Sequence, residues 1–246
     1  MIIDVFFPCP HDGLSEQNLN NLLKIIRKCG DTPLVPESFL CCGQSSYIQG
    51  FHELAKSFAI EVLNNFQMNR PVVSVSNSCL GFMQQRYIPM FFNTSYHNEH
   101  KQLLSNIMDI TQYLADYKKI LNLEAVFPHK VYYYASCSSL RKHEVKDAPI
   151  RLLENVKDLT LVHNSKPVVN CCGNGGGFSF NYPTESDKLT NALLDDILTH
   201  EVEYITSTDA SCLLKMQKMI DARKLNLKTI HIVDILSAFD STKSCN

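Results

Sequence analysis

Eight of the ten cysteines in this 246-residue chain fall into a repeated pattern. Cys41-Cys42-Gly43 and Cys171-Cys172-Gly173 are the same tripeptide; a lone cysteine precedes each (Cys9, Cys137) and another follows each (Cys79, Cys212). Cys137 lies 128 residues after Cys9, Cys171 lies 130 after Cys41, and Cys212 lies 133 after Cys79. A cysteine taken singly is usually a small buried hydrophobe, but that default does not explain order and spacing together. Soft thiolates select iron–sulfur clusters, zinc or Cu(I), and a cluster is typically held by four. Structural zinc sites favour cysteines separated by about two to four residues. Adjacent cysteines instead put two sulfurs on one short piece of backbone, where they can reach neighbouring irons. The glycine that follows permits a positive φ, and successive N–H groups there can form a nest for the negative charge of a thiolate-bound cluster. Cys9, Cys41, Cys42 and Cys79 are therefore expected to hold one iron–sulfur cluster, and Cys137, Cys171, Cys172 and Cys212 a second. A zinc-stabilised scaffold and a direct thiol–disulfide role remain as alternatives. Cys29, before Gly30 at the end of an apolar helical stripe, reads as packing, and Cys245 lies near the chain end.

The flanks repeat as well. Ser78-Cys79-Leu80-Gly81-Phe82-Met83 matches Ser211-Cys212-Leu213-Leu214-Lys215-Met216 at Ser, Cys, Leu and Met. Val5-Phe6-Phe7 leads to Cys9 as Val131-Tyr132-Tyr133-Tyr134 leads to Cys137. Val233-Asp234-Ile235-Leu236 has a counterpart in the stretch from Asp109 to Leu114. One unit is used twice, with the halves divided as 1–124 and 125–246.

The elements that must position these cysteines follow from periodicity. Strand-like runs cover Ile2 to Phe7, Pro33 to Val35 and Pro71 to Val75, then Lys130 to Tyr134, Leu159 to Val162 with Pro167 to Val169, and Val202 to Thr206. Helical stripes lie between them: Leu19, Leu22, Leu23, Ile26; Leu54, Phe58, Val62 with Ala55, Ala59, Leu63; and Leu189, Leu193, Ile197 with Ala192 and Leu194. Residues 97–124 read as mostly helical, with His97-Asn98-Glu99-His100 as a solvated loop. Alternating strands and helices predict an α/β fold of two tandem similar units with short parallel sheets. Ligands of such sheets gather beyond the carboxyl ends of the strands, where every patterned cysteine falls. Gly173-Asn174-Gly175-Gly176-Gly177-Phe178 is an incomplete dinucleotide fingerprint; a glycine-lined wall around a cluster accounts for it better.

Composition narrows the classes. A 45% apolar and 20% charged chain with net charge −2 is that of a soluble globular protein. Lys and Arg never run beyond a pair, so there is no basic stripe for nucleic acid. The apolar run near the start, Val5-Phe6-Phe7, is too short for a signal peptide or membrane span, and a cytoplasmic location is expected. In that reducing compartment the cysteines are not expected to form structural disulfides. No serine–histidine–acid set, paired carboxylate motif or P-loop is present, so the chain is expected to carry electrons rather than activate a substrate alone.

Phe6-Phe7-Pro8-Cys9, Cys41-Cys42-Gly43-Gln44, Gly50-Phe51, Ser78-Cys79, Ser136-Cys137, Leu140-Arg141, Cys171-Cys172-Gly173, Gly175-Gly176, Phe178-Ser179 and Cys212-Leu213 are together recognisable. Over nearly its whole length the sequence resembles the lactate-utilization branch of the CCG-domain (cysteine-rich domain) iron–sulfur family, related to the B subunit of heterodisulfide reductase. The resemblance implies clusters of the [4Fe–4S] type. It further implies an iron–sulfur subunit of a complex oxidising L-lactate to pyruvate, with a ferredoxin-type iron–sulfur subunit and a third small subunit as partners. A heterodisulfide-reductase-like thiol/disulfide role is the alternative it carries. The heterodisulfide reductase pattern closes each unit with a further cysteine; here Phe82 and Lys215 stand at those positions, so each half keeps four patterned cysteines. Where many relatives have histidines around the second lone cysteine, this chain has Tyr134 and Ser138.

Overall fold

The computed structural model describes residues 1–8, 13–67, 69–141, 145, 147–164 and 171–239. Cys9, Cys245 and the run Pro167 to Val169 lie outside the described residues. The first half runs β1 (Ile2–Phe6), α1 (Glu16–Lys28), β2 (Thr32–Leu34), α2 (Gln44–Ile48), α3 (His52–Asn65), β3 (Val72–Ser74), α4 (Asn77–Phe91), α5 (His97–Asn106), β4 (Ile107–Asp109) and α6 (Ile110–Gln112). A π-helical turn, Tyr113–Tyr117, leads into the second half. There follow β5 (Lys130–Tyr133), α7 (Cys137–Arg141), α8 (Ala148–Leu153), β6 (Thr160–Val162), a 3-10 turn (Gly175–Gly177), α9 (Phe178–Asn181), α10 (Pro183–Leu198), β7 (Tyr204–Ser207), α11 (Ala210–Arg223), β8 (Lys228–His231) and α12 (Ile232–Leu236).

The two halves are copies in topology. The strands form two four-stranded sheets ordered β2-β1-β3-β4 and β6-β5-β7-β8, parallel throughout. The α/β fold of two similar units read from the sequence is thus present, and β4 and β8 extend each sheet by a strand beyond the three expected. Residues 107–109, within a stretch read as helical, form one of these strands. Residues 97–100 open α5 rather than a solvated loop, and His100 is buried with its Nδ1 3.0 Å from the Tyr96 carbonyl.

Both faces of each central strand are covered, which is why these runs are nearly continuous apolar residues. Ile3 and Val5 of β1, and Val131 and Tyr133 of β5, point into one core shared by the two sheets, together with Leu22, Ile25 and Ile26 of α1 and Ile232, Val233 and Ile235 of α12. The alternate residues turn outward with the strand period of two. Phe6 joins a cluster with α3 and α4, and Tyr132 joins one with α10 and α11. Polar contacts reinforce the shared core: the amides of Asn18 and Asn21 donate to Asp234 at 2.7–3.0 Å, and Lys24 Nζ donates to the Ser237 carbonyl at 3.0 Å.

Helix ends explain where the chain turns. Ser15 accepts from Asn18 N as the cap of α1, which stops at Cys29, with Gly30 following at a φ of 77°. Cys29 is buried in the shared core, as expected of a packing residue. Asp109 and His231 occupy equivalent cap positions at the ends of β4 and β8: Asp109 Oδ1 accepts from Thr111 N at 2.7 Å, and His231 Nδ1 accepts from Val233 N at 3.3 Å. With Nδ1 accepting, the neutral His231 ring carries its proton on Nε2, 3.1 Å from the Val75 carbonyl in the other half. Burial lowers the His231 pKa and keeps the ring neutral.

Candidate functional site

The patterned cysteines among the described residues are delivered by the loops and helix starts that follow the strands. In the second half β5 is followed by Cys137, the first residue of α7, and β7 is followed by α11, whose third residue is Cys212. Cys172 Sγ lies 2.6 Å from Cys212 Sγ. Cys137 is hydrogen-bonded to Cys171, and this bond, followed by burial, pushes the Cys137 thiol well up. The Cys212 thiol is pushed up in the same way, first by its bond to Cys172 and then by burial. Tyr134, the residue after β5, feels all four sulfurs: burial and then Cys212, Cys172, Cys137 and Cys171 raise its phenol. Three chain segments therefore bring Cys137, Cys171, Cys172 and Cys212 to one place.

In the first half Cys42 Sγ lies 3.2 Å from Cys79 Sγ, and Gly43 N donates to Cys41 Sγ at 3.3 Å. Tyr87 of α4 has its phenol pushed up by burial and then by Cys42, Cys79 and Cys41, so these three converge as well. Pro8 pairs in parallel with Leu40, so the chain before Cys9 runs beside the chain before Cys41.

The Cys-Cys-Gly turns are built alike. Gly43 and Gly173 have φ of 87° and 80°. A Cβ on Gly43 would stand 2.7 Å from the Ala55 carbonyl oxygen of α3, and one on Gly173 would collide with the Ser186 carbonyl of α10. Each glycine thus lets a helix press the cysteine pair inward. Gly173 N donates to Cys171 Sγ at 3.3 Å, as Gly43 N does to Cys41. The carbonyl of each second cysteine receives a hydroxyl, Tyr87 on Cys42 at 3.1 Å and Thr190 on Cys172 at 2.8 Å. The glycine run is a short turn into the four-residue α9 rather than the start of a long phosphate-binding helix, and Asn174 ties it to the Ser211 carbonyl beside Cys212 at 3.0 Å. Phe82 packs in the same cluster as Cys42 and Cys79, so the position of a fifth thiol holds a phenyl ring.

Tyr87, Thr190 and Asp209 were not singled out by sequence reasoning. Asp209 accepts from Ser78 N at 2.6 Å and from the Ser136 hydroxyl, linking the two halves. It precedes α11 and reads locally as an ordinary N-cap, yet it makes no side-chain cap bond to that helix.

Among the described residues no three Cys, His, Asp or Glu side chains form a ligand set for a single metal ion. In the second half the thiols are instead in contact two by two within one group of four, and the crowding says what they suit. Each sulfur near another raises the cost of ionising it, so several thiolates there require compensating positive charge. An iron–sulfur cluster offers that charge spread over several irons, and its preference for four thiolates matches the four patterned cysteines of each half. The donor set and the glycine-opened turns fit such a group.

A family model described as cysteine-rich domain (CCG) matches residues 3–84 and again 131–217. The chain belongs to the CCG cysteine-rich domain family. It is 29% identical over 239 residues to "Lactate utilization protein A" of an Exiguobacterium species, covering 96% of each chain. To the protein of the same name from Geobacillus kaustophilus it is 29% identical over 241 residues, covering 97% of this chain and 99% of that one. Glutamate racemase isoform RacE1 from Bacillus anthracis, a solved structure, covers 96% of this chain and 78% of its own at 10% identity and a TM-score of 0.36, a likeness too slight to carry an argument. Among the described residues no helix is long and apolar enough to cross a membrane.

Proposed function

We propose that this protein is an iron–sulfur electron-transfer subunit of a cytoplasmic oxidoreductase complex that oxidises L-lactate to pyruvate. The observation that carries the reading is the meeting of Cys137, Cys171, Cys172 and Cys212 from three chain segments, repeated by Cys41, Cys42 and Cys79 in the first half. Relatives that match nearly end to end are named for lactate utilization, which supports the substrate. Cys9, Cys41, Cys42 and Cys79 would hold one [4Fe–4S] cluster, and Cys137, Cys171, Cys172 and Cys212 the other. Bound there, the clusters would supply one-electron acceptance and release. The protein's own part is to hold sulfurs and exclude water: Cys42, Cys79, Cys172 and Cys212 are each less than a tenth exposed. Gly43 N and Gly173 N point at Cys41 and Cys171, donating to sulfur and favouring its negative form. A ferredoxin-type iron–sulfur subunit and a third small subunit complete the proposed complex.

The test is anaerobic purification or reconstitution. Brown protein with iron and sulfide in equal amounts, and an EPR signal after dithionite, is the expected result; a colourless, iron-free protein overturns the reading. A second reading, direct thiol–disulfide exchange, is favoured by the 2.6 Å approach of Cys172 and Cys212. It requires metal-independent reaction with disulfides, whereas zinc without an EPR signal would mark a scaffold.

A further inference from the structure

Asp209 lies between the residues that precede Cys79 and Cys137 and is 1% exposed. One carboxylate oxygen accepts from Ser78 N at 2.6 Å, and the other accepts from the Ser136 hydroxyl. Ser78 lies in the first turn of α4, one residue before Cys79. Ser136 immediately precedes Cys137, and its hydroxyl also accepts from Ser139 N at 3.0 Å, closing the first turn of α7. Asp209 itself leads into α11, which carries Cys212. A single buried side chain therefore touches the starts of the helices that present Cys79 on one side and Cys137 on the other, and its own backbone presents Cys212. Around it the halves are also joined by Asn77 Nδ2 to Thr208 Oγ1 at 2.6 Å, and α4 packs on α7. By the repeat, the residue at the corresponding place in the first half is Ser76, whose hydroxyl caps its own helix through Cys79 N. The asymmetry puts a carboxylate at this place in the second half where the first half has a hydroxyl, and Asp109 is the other buried carboxylate that feels it.

Resting on the iron–sulfur reading above, we propose that Asp209 is a positioning residue shared by both sites, whose buried charge acts on the two clusters together. Its carboxylate orients the helix starts of Cys79 and Cys137. In a water-poor junction its charge is weakly screened, so it opposes electron gain on either side. The two sites then respond to a change at Asp209 as one unit.

The experiment is an EPR-monitored redox titration of the anaerobically reconstituted protein, its Asp209→Asn variant and its Ser136→Ala variant. Asparagine keeps an acceptor for Ser78 N and removes the charge, and both cluster potentials are expected to move in the positive direction. Ser136→Ala keeps the charge and strips a hydrogen bond that offsets it, so both potentials are expected to move in the negative direction; this milder variant serves if Asp209→Asn does not fold. Movement of only one signal, or of neither, overturns the proposal, as does movement of both variants in the same direction. Absence of iron from the unmodified protein overturns the underlying reading instead, so the two failures are distinguishable.

Discussion

The hydroxyl of Tyr87 lies 3.1 Å from the carbonyl oxygen of Cys42, within the α3–α4 core cluster that also holds Cys42 and Cys79. Tyr87 is fully buried, with Phe82 and Phe91 edge-on to its ring at 6.2 and 5.6 Å. Tyr87→Phe keeps those ring contacts and strands the carbonyl that fixes the cysteine pair. The expected cost is about 1–2 kcal/mol, read as a lower denaturant midpoint at unchanged slope in the metal-free protein. An unshifted midpoint would show that the bond contributes nothing.

Three glycines separate backbone strain from collision. Gly43, Gly50 and Gly173 all have positive φ, but a Cβ meets backbone only at Gly43 and Gly173, and open space at Gly50. Gly50→Ala should cost about 1 kcal/mol through its left-handed backbone alone. Gly43→Ala and Gly173→Ala should exceed it by about 2 kcal/mol or more, because helix backbone must retreat from the cysteine loop. Parallel thermal or urea unfolding of the three variants checks the ranking; equal losses would contradict the proposed close approach of α3 and α10.

Stability should depend on pH through Asp109. Burial raises its carboxyl to about 7, opposed by bonds from the Thr111 hydroxyl and N–H and reinforced by the charge of Asp209. The Tyr133 phenol, also buried, faces both carboxylates. The folded pKa lies above the unfolded value near 4, so the folded state holds the proton more tightly. The group's contribution is therefore fully present below about pH 4, falls as pH rises, and reaches its least favourable level above about pH 7. In Asp109→Asn this slope is absent, so the wild-type advantage over the variant should shrink steadily between those limits, by a few kcal/mol in order of magnitude. Urea unfolding of both proteins from pH 4 to 8 measures it; a pH-independent difference would refute the assignment.

What could be read from the sequence, and what could not, divides by range. Cysteine spacing is a one-dimensional record of a duplicated unit, and apolar runs such as Val131 to Tyr134 are long enough to announce a strand covered on both faces. Ile107–Asp109 is three residues inside a Leu103-to-Leu114 stripe whose helical spacing continues through it, so no period of two can emerge there. His97 to His100 read as a loop because its residues are polar, yet His100 is buried against Phe91, with ring centroids 5.9 Å apart. Asp209 shows the deeper limit. An aspartate before a helix announces a local cap, whereas its partner Ser78 N is 131 residues away. Only the folded arrangement of the two halves brings them together.

The last prediction concerns the independence of the sites' ligands. Cys212 contacts Cys172 in the second half, as Cys79 contacts Cys42 in the first. If each half holds its own cluster, removing one thiol should empty one site and leave the other. Cys79→Ser and Cys212→Ser should each lower iron and sulfide to about half of the reconstituted wild-type level, in keeping with four thiolates per cluster. Each variant should retain a different EPR signal, because Tyr87 lies against the first site and Tyr134 against the second. The double variant should carry almost no iron. Full iron in either single variant would show that its cysteine is not a ligand. Loss of all iron from one would show that the eight sulfurs serve a single shared centre.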